Sequence, residues 1–261
     1  MNRIMQTAAS GMAAQQLNVD NISNNLANVN TPGYKKSRIE FQDLLYQSVR
    51  PAGSETDQGT KTPTELQIGC GTRPVATSKM FSQGDIIETG NPLDVAINGD
   101  GFFQVLMPDG TTAYTRDGSF KLSDDGRLVT SDGYEVTPEI TLPLDTTSVN
   151  ISRDGRVTAF VAGVENPEEI GQIELVKFIN PAGMKNLGHN LYQATPSSGE
   201  PSFGQPGTEG FGTIEQFYLE SSNVDVVEEM VNMIVAQRAY EINSKAIKTA
   251  DEMMQLVNRL K

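Results

Sequence analysis

The apolar and polar positions divide the chain into three stretches with different periods. Near the N-terminus Met5, Ala8, Met12, Val19, Ile22, Leu26 and Val29 fall on one heptad stripe, broken by Gln15. A second stripe, Val226, Met230, Met233, Tyr240, Ile247, Met254 and Val257, runs toward the C-terminus with Gln237, Ser244 and Asp251 as polar interruptions. Spacings of three and four residues sustained over this length predict two long helices, each with a seam for another helix. Matching ends of this kind point to an assembly subunit whose terminal helices pair with each other or with other copies.

Between about Val75 and Tyr218 the period changes to two. Short runs such as Phe102 to Met107, Leu128 to Thr130 and Val157 to Val161 alternate with Asn98-Gly99, Asp109-Gly110, Asp117-Gly118, Asp125-Gly126, Asp132-Gly133 and Asp154-Gly155. Asn or Asp followed by Gly accepts the positive φ of tight hairpin turns, so the stretch predicts an antiparallel, half-buried β-sheet without a βαβ rhythm. The segment from Tyr34 onward carries an apolar patch at Phe41, Leu44, Leu45 and Tyr46, then turns loop-like from Pro51 through Pro63. The expected division is a helix over 1–33, an extended linking segment with a flexible loop over 34–74, a β-rich middle over 75–219 and a helix over 220–261. The fold class is mixed, with a terminal coiled-coil domain and a central antiparallel β-rich domain.

Charge sharpens this picture. From Met1 to Asn30 the charged side chains are Arg3 and Asp20, and the polar face is built of Asn, Gln, Ser and Thr. Asn costs roughly 0.5 kcal/mol per position against Ala inside a helix, so propensity alone does not hold such a helix together. Neutral amides and small residues such as Ala8, Ala9, Gly11, Ala13 and Ala14 suit a helix enclosed by other helices, where no charge must be desolvated. The formal net charge of -13 over 261 residues excludes a nucleic-acid footprint, which needs a basic stripe.

The candidate chemistry is sparse. One cysteine, Cys70, cannot form an internal disulfide, and one histidine, His189, sits in no nucleophile motif. The Asp-Gly pairs lack the alternate ligands and closing Glu of a calcium loop, and Gly99-Asp100-Gly101 is followed by no Lys and helix to cradle phosphate. No catalytic, cofactor-binding or metal-ligating residue is assigned. There is no basic region followed by an apolar core of the signal-peptide type, and no stretch approaches the roughly 20 apolar residues of a transmembrane helix.

Two signatures carry a family resemblance. Ser10-Gly11-Met12, Asn24-Asn25-Leu26-Ala27-Asn28 and Asn30-Thr31-Pro32-Gly33-Tyr34-Lys35 resemble the amino-terminal signature of bacterial flagellar rod and hook proteins. Glu220-Ser221-Ser222-Asn223-Val224-Asp225 and Ala236-Gln237-Arg238-Ala239-Tyr240-Glu241-Ile242-Asn243-Ser244-Lys245 resemble its carboxy-terminal partner. In the middle, Leu66-Gln67-Ile68-Gly69, Gly71-Thr72-Arg73-Pro74-Val75-Ala76-Thr77 and Gly101-Phe102-Phe103-Gln104-Val105 are most similar to distal rod members. The resemblance implies a structural subunit, not an enzyme, that self-assembles into a straight helical tube carrying motor torque to the hook. It also implies proximal rod proteins, the hook protein, the P and L rings and a rod cap as partners. Location in the rod across the periplasm, after export without a cleaved signal, follows from the same resemblance. In distal rod relatives the stretch equivalent to Pro51–Pro63 is thought to pack between subunits and keep the rod straight. Two rivals stand beside this reading: a proximal rod or hook paralogue, and a soluble β-rich binding protein with an intramolecular coiled coil.

Overall fold

The structure is a computed structural model and describes residues 2–53, 63–143, 145–162, 167–208 and 210–259. The chain forms two compact units. Unit 1 comprises residues 1–26, 37–78 and 225–261, and unit 2 comprises residues 27–36 and 79–224.

Unit 1 is built on two helices, α1 (Asn2–Ala27) and α2 (Val226–Arg259). At 1.5 Å per residue they are about 39 and 51 Å long. Asp225 caps α2, its Oδ1 accepting from the backbone N–H groups of Val227 at 2.8 Å and Glu228 at 3.1 Å. Helix α1 stops at Ala27, a few residues before the break expected at Asn30-Thr31-Pro32-Gly33. A turn replaces the last helical residues, with the Thr31 N–H bonded to the Asn28 carbonyl at 3.2 Å, so Val29 lies beyond the helix.

The segment after α1 holds short paired strands. Strands β1 (Ser37–Asp43), β2 (Gln47–Arg50), β3 (Leu66–Ile68) and β4 (Thr72–Lys79) pair as β1 with β4, and as β2 antiparallel to β3 with Gln47 opposite Ile68. Most of the loop expected between Pro51 and Pro63, residues 54–62, lies outside the described residues. The apolar patch foreseen at 41–46 is largely open, with Phe41, Leu45 and Tyr46 all exposed.

Unit 2 is β-rich. Its main sheet has seven antiparallel strands in the spatial order 185–188, 191–193, 112–115, 103–106, 135–137, 128–129 and 121–122. A three-stranded sheet, 146–151, 156–161 and 168–172, and three strand pairs complete it. Alternation works as expected on the strand Phe103–Leu106: Phe103 and Val105 are fully buried while Gln104 and Leu106 face outward. The core gathers Phe103, Val105, Phe120, Ile140, Ile173, Leu175 and Ile214, and Phe103 meets Phe120 edge to face at 5.1 Å. A second cluster holds Phe102, Tyr114, Val176, Phe178 and Tyr192.

Four of the Asp-Gly pairs, at 109, 125, 132 and 154, connect neighbouring antiparallel strands. Asn98-Gly99 and Asp117-Gly118 do not, because the strands on either side of each pair with other partners. Gly118 serves close packing instead: a Cβ there would lie 1.7 Å from the Val95 carbonyl oxygen, whose own N–H donates to the Gly118 carbonyl at 3.1 Å. Gly118→Ala therefore forces backbone apart and is expected to cost several times more than Gly133→Ala. The latter meets an open turn and pays about 1 kcal/mol for positive φ. Urea unfolding of the two variants checks this, and equal losses would contradict it.

Candidate assembly surface and terminal clasp

In unit 1 the helices run antiparallel, as two contacts demonstrate. A Cβ on Gly11 would stand 2.8 Å from Nδ2 of Asn243, and Asn25 Nδ2 donates to Glu229 Oε2 at 3.1 Å. Both contacts are separated by 14 residues, ascending on α1 and descending on α2, which is two heptads of constant register. Gly11 is small because Asn243 fills its place. Asn25 is buried because it also serves the strand beside it, accepting from the Ser37 N–H and donating to the Ser37 carbonyl, both at 2.9 Å. Asn21 joins it, donating to the same carbonyl at 2.7 Å. The amides of the first helix thus stand in for a missing strand partner, which explains an otherwise poor helix composition.

Of the expected N-terminal seam, Ala8 and Ile22 are buried on α1 and Met5, Met12, Val19 and Leu26 half-buried, while Val29, beyond the helix, is half-buried as well. On α2 the picture is divided. Met233, Ile247 and Met254 are half-buried, whereas Val226, Met230, Tyr240 and Val257 are exposed. The buried positions of α2 are Glu229, Ala236 and Ala250, which the apolar count passed over because one is charged and two are small. A further stripe also went unread. Val227, Val231, Ile234, Val235, Ile242, Met253 and Leu256 lie on the face roughly opposite the buried one, with Val227 71%, Val235 62% and Ile242 68% exposed. Their spacing of three, four and seven would have revealed a second apolar face.

The two sequence signatures meet in unit 2. Lys35 and Glu220 are fully enclosed, with Lys35 Nζ on Glu220 Oε1 at 2.5 Å and on the Ser82 carbonyl at 2.8 Å. Arg116 supplies a second cation, its Nη1 3.4 Å from Glu220 Oε2 and its Nη2 donating to the Gly99 carbonyl at 2.9 Å. Oε1 also accepts from the Gly84 N–H at 2.9 Å. Backbone and amide bonds extend the fastening: the Gly33 N–H donates to the Glu220 carbonyl at 2.8 Å, and the Lys36 N–H to Asn223 Oδ1 at 2.7 Å. Asn223 Nδ2 donates in turn to Met80 and Ser82 carbonyls, and Asn190 Nδ2 to that of Pro32. The segment that follows α1 and the segment that precedes α2 are therefore laced side by side.

Burial pulls the Lys35 ammonium below its ordinary range, with Glu220 opposing the shift, and it lowers Arg116 for the same reason. Lys79, donating to the Lys35 carbonyl at 2.8 Å and lying 4.1 Å over the Tyr34 ring, is brought down by burial to about 8.

Cys70 and His189 stand apart from the clasp. Cys70 is a half-buried free thiol, and His189 occupies an exposed left-handed turn with Nδ1 3.3 Å from Asp132 Oδ2. Among the described residues no group of three or more His, Cys, Asp and Glu is placed to hold a metal.

Removing Glu220's charge leaves two buried cations, whereas removing that of Lys35 leaves Arg116 and Glu220 as a neutral pair. Glu220→Gln is thus expected to cost about 3–5 kcal/mol and Lys35→Met distinctly less. Chemical denaturation measures both, and the reverse order would refute the assignment of Glu220 as the hub. For Lys79 the folded pKa lies below the unfolded one, so the unfolded chain binds more protons between about pH 8 and 10.5 and stability rises with pH across that window. Relative to Lys79→Met, the wild-type chain should gain stability from pH 8 to 10. A constant difference would contradict this.

Comparison with known proteins agrees with the placement of these segments. The family model described as Flagella basal body rod protein matches residues 5–35. The one described as Flagellar hook protein FlgE/F/G D1 domain matches residues 96–159, and Flagellar basal body rod FlgEFG protein C-terminal matches residues 215–260. The chain is 52% identical over 251 residues to the flagellar basal-body rod protein FlgG of Buchnera aphidicola subsp. Schizaphis graminum, covering 96% of each chain. It is 52% identical over 263 residues to that of Borreliella burgdorferi, covering 100% of this chain and 99% of the relative. With the Bacillus subtilis FlgG it shares 41% identity over 268 residues and the full length of both. The terminal segments fastened at Glu220 are thus the parts matched by the rod models, and the chain belongs to the family of flagellar basal-body rod proteins FlgG, the distal rod proteins.

Proposed function

We propose that the chain is a structural subunit of the flagellar distal rod and that copies self-assemble through α1 and α2 into a straight helical tube that transmits torque to the hook. The observation that carries this reading is the apolar stripe of α2 that its own chain leaves uncovered. Covering Val227, Val231, Ile234, Val235 and Ile242 is worth on the order of 1–2 kcal/mol each, since part of each side chain already has neighbours. The resulting total of roughly 5–10 kcal/mol per copy is comparable with the ~4–15 kcal/mol lost in translational and rotational freedom. Two copies alone are marginal. A lattice in which each helix touches several neighbours is not, and a contact repeated by a screw operation builds a filament instead of closing.

In this reading α1 and α2 form a coiled coil within each subunit. The expected interface residues Met5, Ala8, Met12, Val19, Ile22, Leu26 and Val29, with Val226, Met230, Met233, Tyr240, Ile247, Met254 and Val257, are shared between that pairing and contacts with other copies. The terminal helices, 1–33 and 220–261, are the assembly elements. The segment 34–74 links them to the β-rich middle, 75–219. Proximal rod proteins, the hook protein, the P and L rings and the rod cap are the partners, and the rod across the periplasm, reached by export, is the location. The rival reading, a self-sufficient monomer with an intramolecular helix pair, draws on the Gly11 and Asn25 contacts within one chain. It gives no reason for the second stripe.

Ile234→Asp places a charge on the free face of α2, within unit 1. Sedimentation and electron microscopy should show loss of assembly, with unfolding of unit 2 altered by less than about 0.5 kcal/mol. Normal tubes formed by this variant would overturn the proposal.

A further inference from the structure

We infer that the free face of α2 docks on the outer face of α1 in a second copy of this chain, guided by Arg238 and Lys245 on the one and Asp20 on the other. This rests on the self-assembly reading above and names the surfaces that meet.

Charge complementarity carries the inference. Along the free stripe of α2 from Val227 to Leu256, helical spacing adds to the exposed aliphatic residues the exposed Arg238 and Lys245 on its middle turns, then Thr249 and Glu252 toward its C-terminal end. The face of α1 opposite its buried Ala8 and Ile22 bears Gln6, Ala9, Ala13, Gln16, Asp20 and Ala27, all exposed. Asp20 is the one acidic residue of that helix, and Arg3 is the only other charged residue among the first 30. An aliphatic ridge with two cations on its middle turns thus has as its counterpart a low-relief face with a single anion. None of the three charged side chains has a hydrogen bond or ion pair within its own chain among the described residues, so each is available to a partner.

The geometry is self-consistent. Each chain is an antiparallel helix pair, so copies stacked in one orientation bring α1 of one antiparallel to α2 of the next. With Asp20 beside Arg238, Ala13 falls level with Lys245 and Ala27 level with Val231, which places short side chains of α1 opposite longer ones of α2. The two faces belong to opposite sides of the same helix pair and cannot meet within one chain. The contact is therefore heterologous and propagates. Buried aliphatic area supplies the affinity, while the pairing of Asp20 with Arg238 sets the register.

The test uses the purified full-length chain and reads the critical concentration for assembly by sedimentation, with circular dichroism and unit 2 unfolding as fold controls. Asp20→Lys and, separately, Arg238→Glu with Lys245→Glu should each raise the critical concentration at least about tenfold, and the three changes together should restore it to within about threefold of wild type. Disulfide capture gives an independent readout. In a Cys70→Ser background, chains bearing Asp20→Cys should cross-link to chains bearing Arg238→Cys on assembly. Wild-type tubes that tolerate every swap and yield no such cross-link would overturn this docking while leaving self-assembly standing. A wild-type chain that stays monomeric at every concentration would overturn both.

Discussion

The carboxylate of Glu220 is enclosed with two cations, Lys35 and Arg116, and both segments leading to the terminal helices are bonded around it. Such a cluster is a poor source of net stability, because several kcal/mol per ion must be spent in desolvation. What it supplies is uniqueness. Gly33 to Lys36 and Glu220 to Asn223 lie 184 or more residues apart in sequence, and only one alignment of the two gives Glu220 its partners. Any other leaves an uncompensated charge in the interior. The two segments are thereby held in a single alignment within unit 2.

Beyond this closure the two helices have different materials for different tasks. Helix α1 uses amides to bond a strand backbone and small residues to admit its neighbour, as at Asn25 and Gly11. Helix α2 presents to its own chain a face of Ala236, Ala250 and half-buried Met233, Ile247 and Met254 around Glu229, and an aliphatic face to its surroundings. A helix apolar on two sides is characteristic of a bundle with more than two members. In the proposed assembly the energy per copy is comparable with the cost of association, so growth would be cooperative: weak for the first contacts and strong once each helix has several neighbours.

Much of this architecture was legible in the sequence. Long-period stripes marked the helices, two-residue alternation marked the sheet, and four of six Asx-Gly pairs marked real hairpins. The failures have physical causes. Gly99 and Gly118 permit close backbone approach, which has the same residue signature as a turn but depends on a distant strand. On α2 an apolar count passed over the buried Ala236 and Ala250, because a tight helix contact favours small residues over greasy ones. Lys35, Arg116 and Glu220 were invisible as a cluster, since nothing local in a sequence tells which charges will be buried together. The family signatures contained two of the three without disclosing their chemistry.

The central claim is that the free face of α2 is covered by other copies of the chain. Hydrogen exchange on the monomer and on assembled tubes tests it most directly, read separately over residues 2–26, 79–224 and 225–259. The account requires the gain in protection on assembly to concentrate in the two helices, with the β-rich residues 79–224 already protected in the monomer. Helices protected equally in both states, with the gain confined to 79–224, would contradict it.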